Sequence, residues 1–135
     1  MPGDPSSPQP PGRETTPRLN ELIGLGPIDA RNGRATCEVR PAAGAAGATT
    51  FALTTAVDMA LVRAAGSTVA PPEEMNGTAE LNVTYLRPSS GPARIEAEVV
   101  GRSPTLRLVE FSVLDRDGIV ARGRSSYAIR PGSRS

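Results

Sequence analysis

Residues 77–86, GTAELNVTYL, alternate between apolar and polar positions: Ala79, Leu81, Val83 and Tyr85 against Glu80, Asn82 and Thr84. A period of two is that of a strand with one buried and one wet face. Residues 92–101 repeat the pattern, with Ala93, Ile95, Ala97 and Val99 inward. Residues 105–115 start on Leu106 and Leu108 and then change phase to Val109, Phe111 and Val113, which predicts a β-bulge near residue 108. Asp117-Gly118 predicts a hairpin turn into a last strand over 119–130. Residues 28–40 read as a further strand: Ala35, Cys37 and Val39 alternate against Arg34, Thr36 and Glu38, and Asn32-Gly33 marks a hairpin or a bulge. Short connections among the later strands predict an antiparallel meander.

One segment breaks the alternation. Residues 49–65, TTFALTTAVDMALVRAA, read as the single substantial helix, with Thr49 or Thr50 as its cap and Gly66 past its end. Phe51, Leu53, Val57, Met59, Leu61 and Val62 are spread around it. A helix apolar on all sides is a buried one, so a sheet wrapped around it is expected. A shorter helix is expected over 18–25, with Leu19, Leu22 and Ile23 on one face, and a small-residue loop over 41–48. Residues 1–17, rich in Pro and Ser, read as a disordered tail, and 131–135 as a second. The folded domain is then 18–130, an α+β unit of one long helix and an antiparallel sheet.

Composition narrows the chemistry. The chain of 135 residues carries 15 basic and 14 acidic side chains, a net charge of +1. No strong field draws in nucleic acid or an anionic membrane. The starting segment lacks the apolar core of a secretory signal, and a soluble protein of the cytoplasm is expected. The chain has no histidine, which removes Ser-His-Asp and Cys-His catalysis and His-based metal sites. All the cations are arginine, so lysine Schiff-base chemistry and a P-loop lysine are removed too. A single cysteine, Cys37, allows neither a disulfide framework nor a cysteine-based metal site, and its place on the inward phase of a strand makes it core. A general base must then be a carboxylate or something less usual.

Asp58 is the candidate. It sits mid-helix among apolar residues, where propensity is poor and an unpaired buried carboxylate is costly. The alternatives are a structural salt bridge, for instance to a strand arginine, or a solvent-exposed stripe of the helix. Thr49 and Thr50 stand where a helix start offers free N–H groups and a positive dipole end, suited to an oxyanion, though an ordinary cap needs no more. Thr78 opens the next strand, where its hydroxyl could hold a water or simply favour the strand. Arg87, Arg102, Arg107, Arg122 and Arg124 crowd the strands, suited either to ligand phosphates or to a solvated face. Asn76-Gly77-Thr78 and Asn82-Val83-Thr84 match the glycosylation sequon by chance.

The ordered set of segments resembles a known family. Residues 78–88, TAELNVTYLRP, 91–102, GPARIEAEVVGR, and 115–129, from DRDGIVA onward, are similar to successive strands of hotdog-fold, phenylacetyl-CoA-thioesterase-like (PaaI-like) acyl-CoA thioesterases. The resemblance covers about 18–130. It implies a sheet wrapped around one central helix, and it places Asp58 at the family's catalytic carboxylate, nine residues beyond the His of an HGG motif. Thr78, four residues before Asn82, matches a family Ser or Thr. The HGG position itself is Thr49-Thr50-Phe51, and a family Asn upstream is Ala43.

The resemblance implies hydrolysis of an acyl-CoA or acyl-carrier-protein thioester without a cofactor. Asp58 would act as general base or as nucleophile, Thr78 would orient water or carboxylate, and the backbone N–H of Thr50 would hold the oxyanion. Thr49, Phe51, Asn82, Arg87 and Arg102 would contact substrate, with Phe51 in the acyl or pantetheine channel. It implies self-association as a homodimer or homotetramer, with Asp58 and Thr78 of one site drawn from different chains. Loss of the HGG motif supports a second reading, a non-catalytic hotdog protein that binds an acyl or polyketide-like ligand.

Overall fold

The computed structural model describes residues 23–40, 46–89 and 91–132, with side chains of the helix from Ala52 onward. The tails, most of the short helix over 18–25 and most of the loop over 41–48 fall outside the described residues. The elements are β1 (Asp29–Arg31), β2 (Arg34–Val39), α1 (Ala46–Gly66), β3 (Glu74–Tyr85), β4 (Ala93–Ser103), β5 (Leu106–Asp115) and β6 (Gly118–Arg130). The strands form one sheet in the order β1-β2-β4-β5-β6-β3, every neighbouring pair antiparallel. The helix packs on one face of that sheet, as the hotdog expectation requires. Among the described residues no helix is long and apolar enough to cross a membrane.

Asn32-Gly33 makes the first hairpin: both residues have positive φ, and Arg31 pairs with Arg34 across the turn. A tight primed turn needs that backbone sign, and Asn-Gly supplies it cheaply. Gly33 also accepts from the Val99 amide at 2.7 Å and donates to Ser67 Oγ at 2.8 Å, tying the turn to β4 and to the end of the helix. The last hairpin closes one residue earlier than expected, with Asp115 paired to Gly118 around Arg116-Asp117. The Arg87 guanidinium grips the Asp115 carboxylate there, 2.9 Å through one nitrogen, and reaches the Gly118 carbonyl at 3.0 Å.

The core is built from small side chains. Ala52, Ala56, Ala60 and Ala64 of α1 are buried, as are Ala35, Ala93 and Ala97 of the sheet. Alanines on both surfaces let helix and sheet approach closely, and Leu53, Val57, Leu61, Ile95, Val109 and Val113 fill between them. Phe111 stands between Ala97 and Gly123 in register. A Cβ at Gly123 would lie 1.9 Å from the Asn82 carbonyl oxygen and 3.1 Å from the Phe111 ring, so only glycine fits.

Three expectations are corrected. First, α1 is not buried all round. Its buried side is Ala52/Leu53, Ala56/Val57, Ala60/Leu61 and Ala64/Ala65, while Thr54, Thr55, Asp58 and Met59 are half-buried and Val62 and Arg63 exposed. One sheet face covers one helix side. Second, β5 has no bulge at residue 108. Its inward phase runs 107, 109, 111, 113 without a break, and the extra residue lies in the partner strand, where Val99 pairs Val109 and Gly101 pairs Leu108. The apolar pattern broke because the inward residue is Arg107. Third, Ala79 is exposed, because β3 slips register twice, between Met75 and Thr78 and between Thr78 and Glu80.

Among the described residues, Arg107 is the largest fully buried side chain. It is held by Glu73 at 3.2 Å, by the Thr68 hydroxyl and carbonyl at 2.8 and 3.3 Å, and by the Ser103 carbonyl at 2.8 Å. A guanidinium can be buried only when its donors are this fully used. It thereby fastens the segment after the helix to the β4–β5 hairpin. Replacing Arg107 with Met removes the charge that Glu73 and two carbonyls face, and is expected to cost about 3 kcal/mol in urea unfolding.

Candidate active site

The half-buried stripe of α1 carries polar groups one turn apart. Thr54 and Asp58 are four residues apart and so share a helix face. The Thr54 hydroxyl hydrogen-bonds to the Tyr85 hydroxyl at the end of β3. Asp58 follows, and no salt bridge reaches it among the described residues, which removes the structural ion pair as its explanation. Burial without a counter-charge raises its pKa above the ordinary carboxylate value.

Across from Asp58 lies Tyr127 on the inner face of β6, with no exposed surface. Burial pushes its phenol up to about 12; the Ser125 and Thr78 hydroxyls pull the other way, and the negative charge of Asp58 adds to the rise. Thr78 is the register partner of Tyr127, at the residue between the two slips of β3. Gly77, with φ of +107°, precedes it and allows the bulge. Bulges beside a site re-aim a side chain. Here the irregularity breaks the strict alternation and sets the Thr78 hydroxyl against Tyr127. Ser125, also buried, donates to the Glu80 carbonyl at 2.7 Å.

Within a single chain, Thr78 is in register with Tyr127, and the charge of Asp58 is felt at that phenol. The other sequence candidates are not brought there. Arg87 is committed to Asp115, whose side chain is wholly buried, so it secures a hairpin rather than offering its fork to a phosphate. Arg102 is exposed near the far end of β4 and donates to the Thr68 carbonyl at 3.3 Å. Asn82 points to the sheet face away from α1, into a cleft of about 890 Å³ shared with Thr84, Glu96, Arg122 and Arg124. Cys37 is core, and burial pushes its thiol up to about 11.

The helix start also differs. α1 begins at Ala46, so Thr49 and Thr50 are its fourth and fifth residues and neither is the cap. A helix leaves only its first amides unpaired. The Thr50 amide has the Ala46 carbonyl one turn behind it, and the free donors belong to the first turn, Ala46–Ala48. The side chains of Thr49, Thr50 and Phe51 lie outside the described residues.

Tyr85, Tyr127, Ser125 and Thr54 do not stand out in the sequence pattern. Both tyrosines fall on inward positions and pass for core aromatics. The available signal is that an inward tyrosine carries a hydroxyl that needs a partner, and these are the chain's only two tyrosines.

No protein-family model and no curated protein matches the chain. Solved structures do. A conserved protein from Pseudomonas aeruginosa superposes with a TM-score of 0.72 at 27% identity, over 82% of this chain and 92% of that one. A phenylacetic acid degradation-related protein from Ralstonia eutropha gives 0.68 at 19% identity, over 84% and 90%. A hypothetical thioesterase from Streptococcus pneumoniae, solved with coenzyme A, gives 0.67 at 17% identity, over 81% and 88%. The chain has the hotdog fold.

The raised pKa of Asp58 fixes the sign of a pH effect. A carboxyl whose folded-state pKa lies above its unfolded value makes the native state less stable once ionised. Asp58→Asn is therefore expected to raise the thermal midpoint at pH 7. The gain should shrink as pH falls through the raised folded-state pKa and close below the ordinary carboxylate value, where the wild-type carboxyl is protonated in both states. Calorimetry of both proteins at pH 7 and pH 3 checks this.

Proposed function

We propose that this protein hydrolyses an acyl thioester of coenzyme A or of an acyl carrier protein, with Asp58 as general base. The observation that carries the reading is a carboxylate without a salt bridge, half-buried on the open stripe of the central helix. Its raised pKa moves it toward the range where a base accepts a proton at neutral pH. The thioesterase and coenzyme A descriptions of structures with this fold support the choice of substrate class.

In the reaction, Asp58 takes a proton from water as the water oxygen bonds to the thioester carbonyl carbon. The tetrahedral intermediate collapses, the C–S bond breaks, and the departing sulfur recovers the proton from Asp58. The products are a carboxylic acid and a thiol. Amides of the first turn of α1, not that of Thr50, would hold the oxyanion.

Those amides lie roughly 15–18 Å along the helix from Asp58, at the usual rise per residue. One chain cannot present both to one carbonyl. The reading therefore calls for a second copy, with the helix start of one chain beside Asp58 of the other. The edge of β3, paired on one side only among the described residues, is the natural place for that association.

Two measurements test this. Hydrolysis of short, long and aromatic acyl-CoA and carrier-bound thioesters should be detectable in wild type and fall about 10²–10⁴-fold in Asp58→Asn. Tight thioester binding with no turnover by wild type would favour the non-catalytic, ligand-binding reading instead. Light scattering on an eluting peak should give at least a dimer; an active monomer would contradict the shared site.

A further inference from the structure

The outer face of the sheet, turned away from α1, carries charges in an ordered register. Along β5 the outward positions run from Leu106 through Glu110 to Leu114, and on β6 they pair with Ala128, Arg124 and Ile119. The two strands are thus apolar at both ends of this face and charged in the middle. Glu110 is the register partner of Arg124, yet among the described residues neither of them, nor Arg122, enters an ion pair. The acids of β4 are by contrast already paired, Glu98 with Arg34 at 2.8 Å and Glu96 with Arg94 at 3.1 Å. Of the five large hydrophobic residues left exposed among the described ones, three fall on this face: Leu106, Ile119 and Leu86, which borders the cleft beside Asn82 and Thr84. Single exposed apolar residues are ordinary. Here they flank unpaired charges of both signs in a pattern that complements its own rotated copy.

We propose that this outer face joins two copies of the chain about a two-fold axis that runs along the strands between β5 and β6, with Glu110 of each copy facing Arg124 of the partner subunit. Such an axis lies in the plane of contact and lays β5 of one copy over β6 of the other. Each β5 residue then meets, from the second chain, the residue it pairs with in its own. Acid meets base at Glu110 and Arg124, and apolar meets apolar at Leu106 with Ala128 and at Leu114 with Ile119, each contact occurring twice. An axis running across the strands would instead stack β6 on β6 and set arginine against arginine. Face-to-face sheets keep their strands within about 30° of one another, so the match holds best near the axis, where Glu110 and Arg124 stand. The contact lies on the opposite side of the sheet from α1 and is separate from the β3 edge. It does not rest on the thioesterase reading. Edge pairing and face pairing together give an assembly of four chains.

Charge reversal tests this. Arg124→Glu and Glu110→Arg each set like charges across the contact, and both positions are exposed, so the core is untouched. Light scattering on an eluting peak should give four chains for the wild type and two for either variant alone. An equal mixture of the two variants should return to four, because the acids of one then face the bases of the other. Within a single chain of either variant, positions 110 and 124 carry the same sign, so only a contact between chains produces that recovery. A two-chain wild type that either variant reduces to one would support the face contact and count against the edge pairing. A wild-type mass that neither substitution changes, or a mixture that fails to recover, would overturn the inference and leave the edge-paired shared site standing. A monomeric wild type would overturn both.

Discussion

A helix laid on one sheet can bury only one of its sides. That constraint governs the molecule. The buried side of α1 is chosen by pairs of small and branched residues at Ala52/Leu53 through Ala64/Ala65, which meet an equally small-featured sheet at Ala35, Ala93 and Ala97. Because that fit is close, the rotation of the helix about its axis is fixed. Thr54 and Asp58 are then held on the open flank, toward Tyr85 and Tyr127. The site owes its position less to the residues within it than to the alanines on the other side of the helix.

The same fit explains how polarity enters a core this lean in aromatics. Inner-face positions on β6 and β3 carry hydroxyls at Ser125, Thr78, Tyr127 and Tyr85, and the helix answers with Thr54 and Asp58. These hydroxyls carry no charge, and among the described residues no arginine forms an ion pair with Asp58. Arg87 and Arg107, two of the arginines drawn furthest into the fold, are each neutralised by their own acid, Asp115 and Glu73, away from Asp58. An arginine beside Asp58 would lower its pKa and blunt it as a base. The distribution of cations is therefore part of what leaves the pKa of that carboxylate raised.

The alternating strands were legible because each buries one face, and the Asn-Gly hairpin because its backbone sign has few other solutions. Asp58 was legible because a carboxylate in an apolar helix is rare. What escaped reading did so for physical reasons. The helix start at Ala46 lies in a run of alanine and glycine with neither a capping side chain nor an apolar rhythm, so Thr49 and Thr50 looked like the cap. Arg107 reads as outward by its charge, and only a surrounding set of carbonyls and Glu73 lets it turn in. The slips of β3 are hidden because the sequence alternates straight through them. Tyr127 does not stand out because nothing in the strand pattern marks its oxygen, which the fold buries without a partner at hydrogen-bond geometry.

The double slip in β3 has a second consequence. A flat edge strand offers an unbroken ladder to any extended peptide, which is how sheets recruit one another into fibrils. In β3 that ladder is interrupted between Met75 and Glu80 and resumes in even pairing from Leu81 to Tyr85. An incoming strand finds one short regular stretch bounded by a kink, so it can dock in few registers. The irregularity that aims Thr78 also guards the open edge against indiscriminate aggregation.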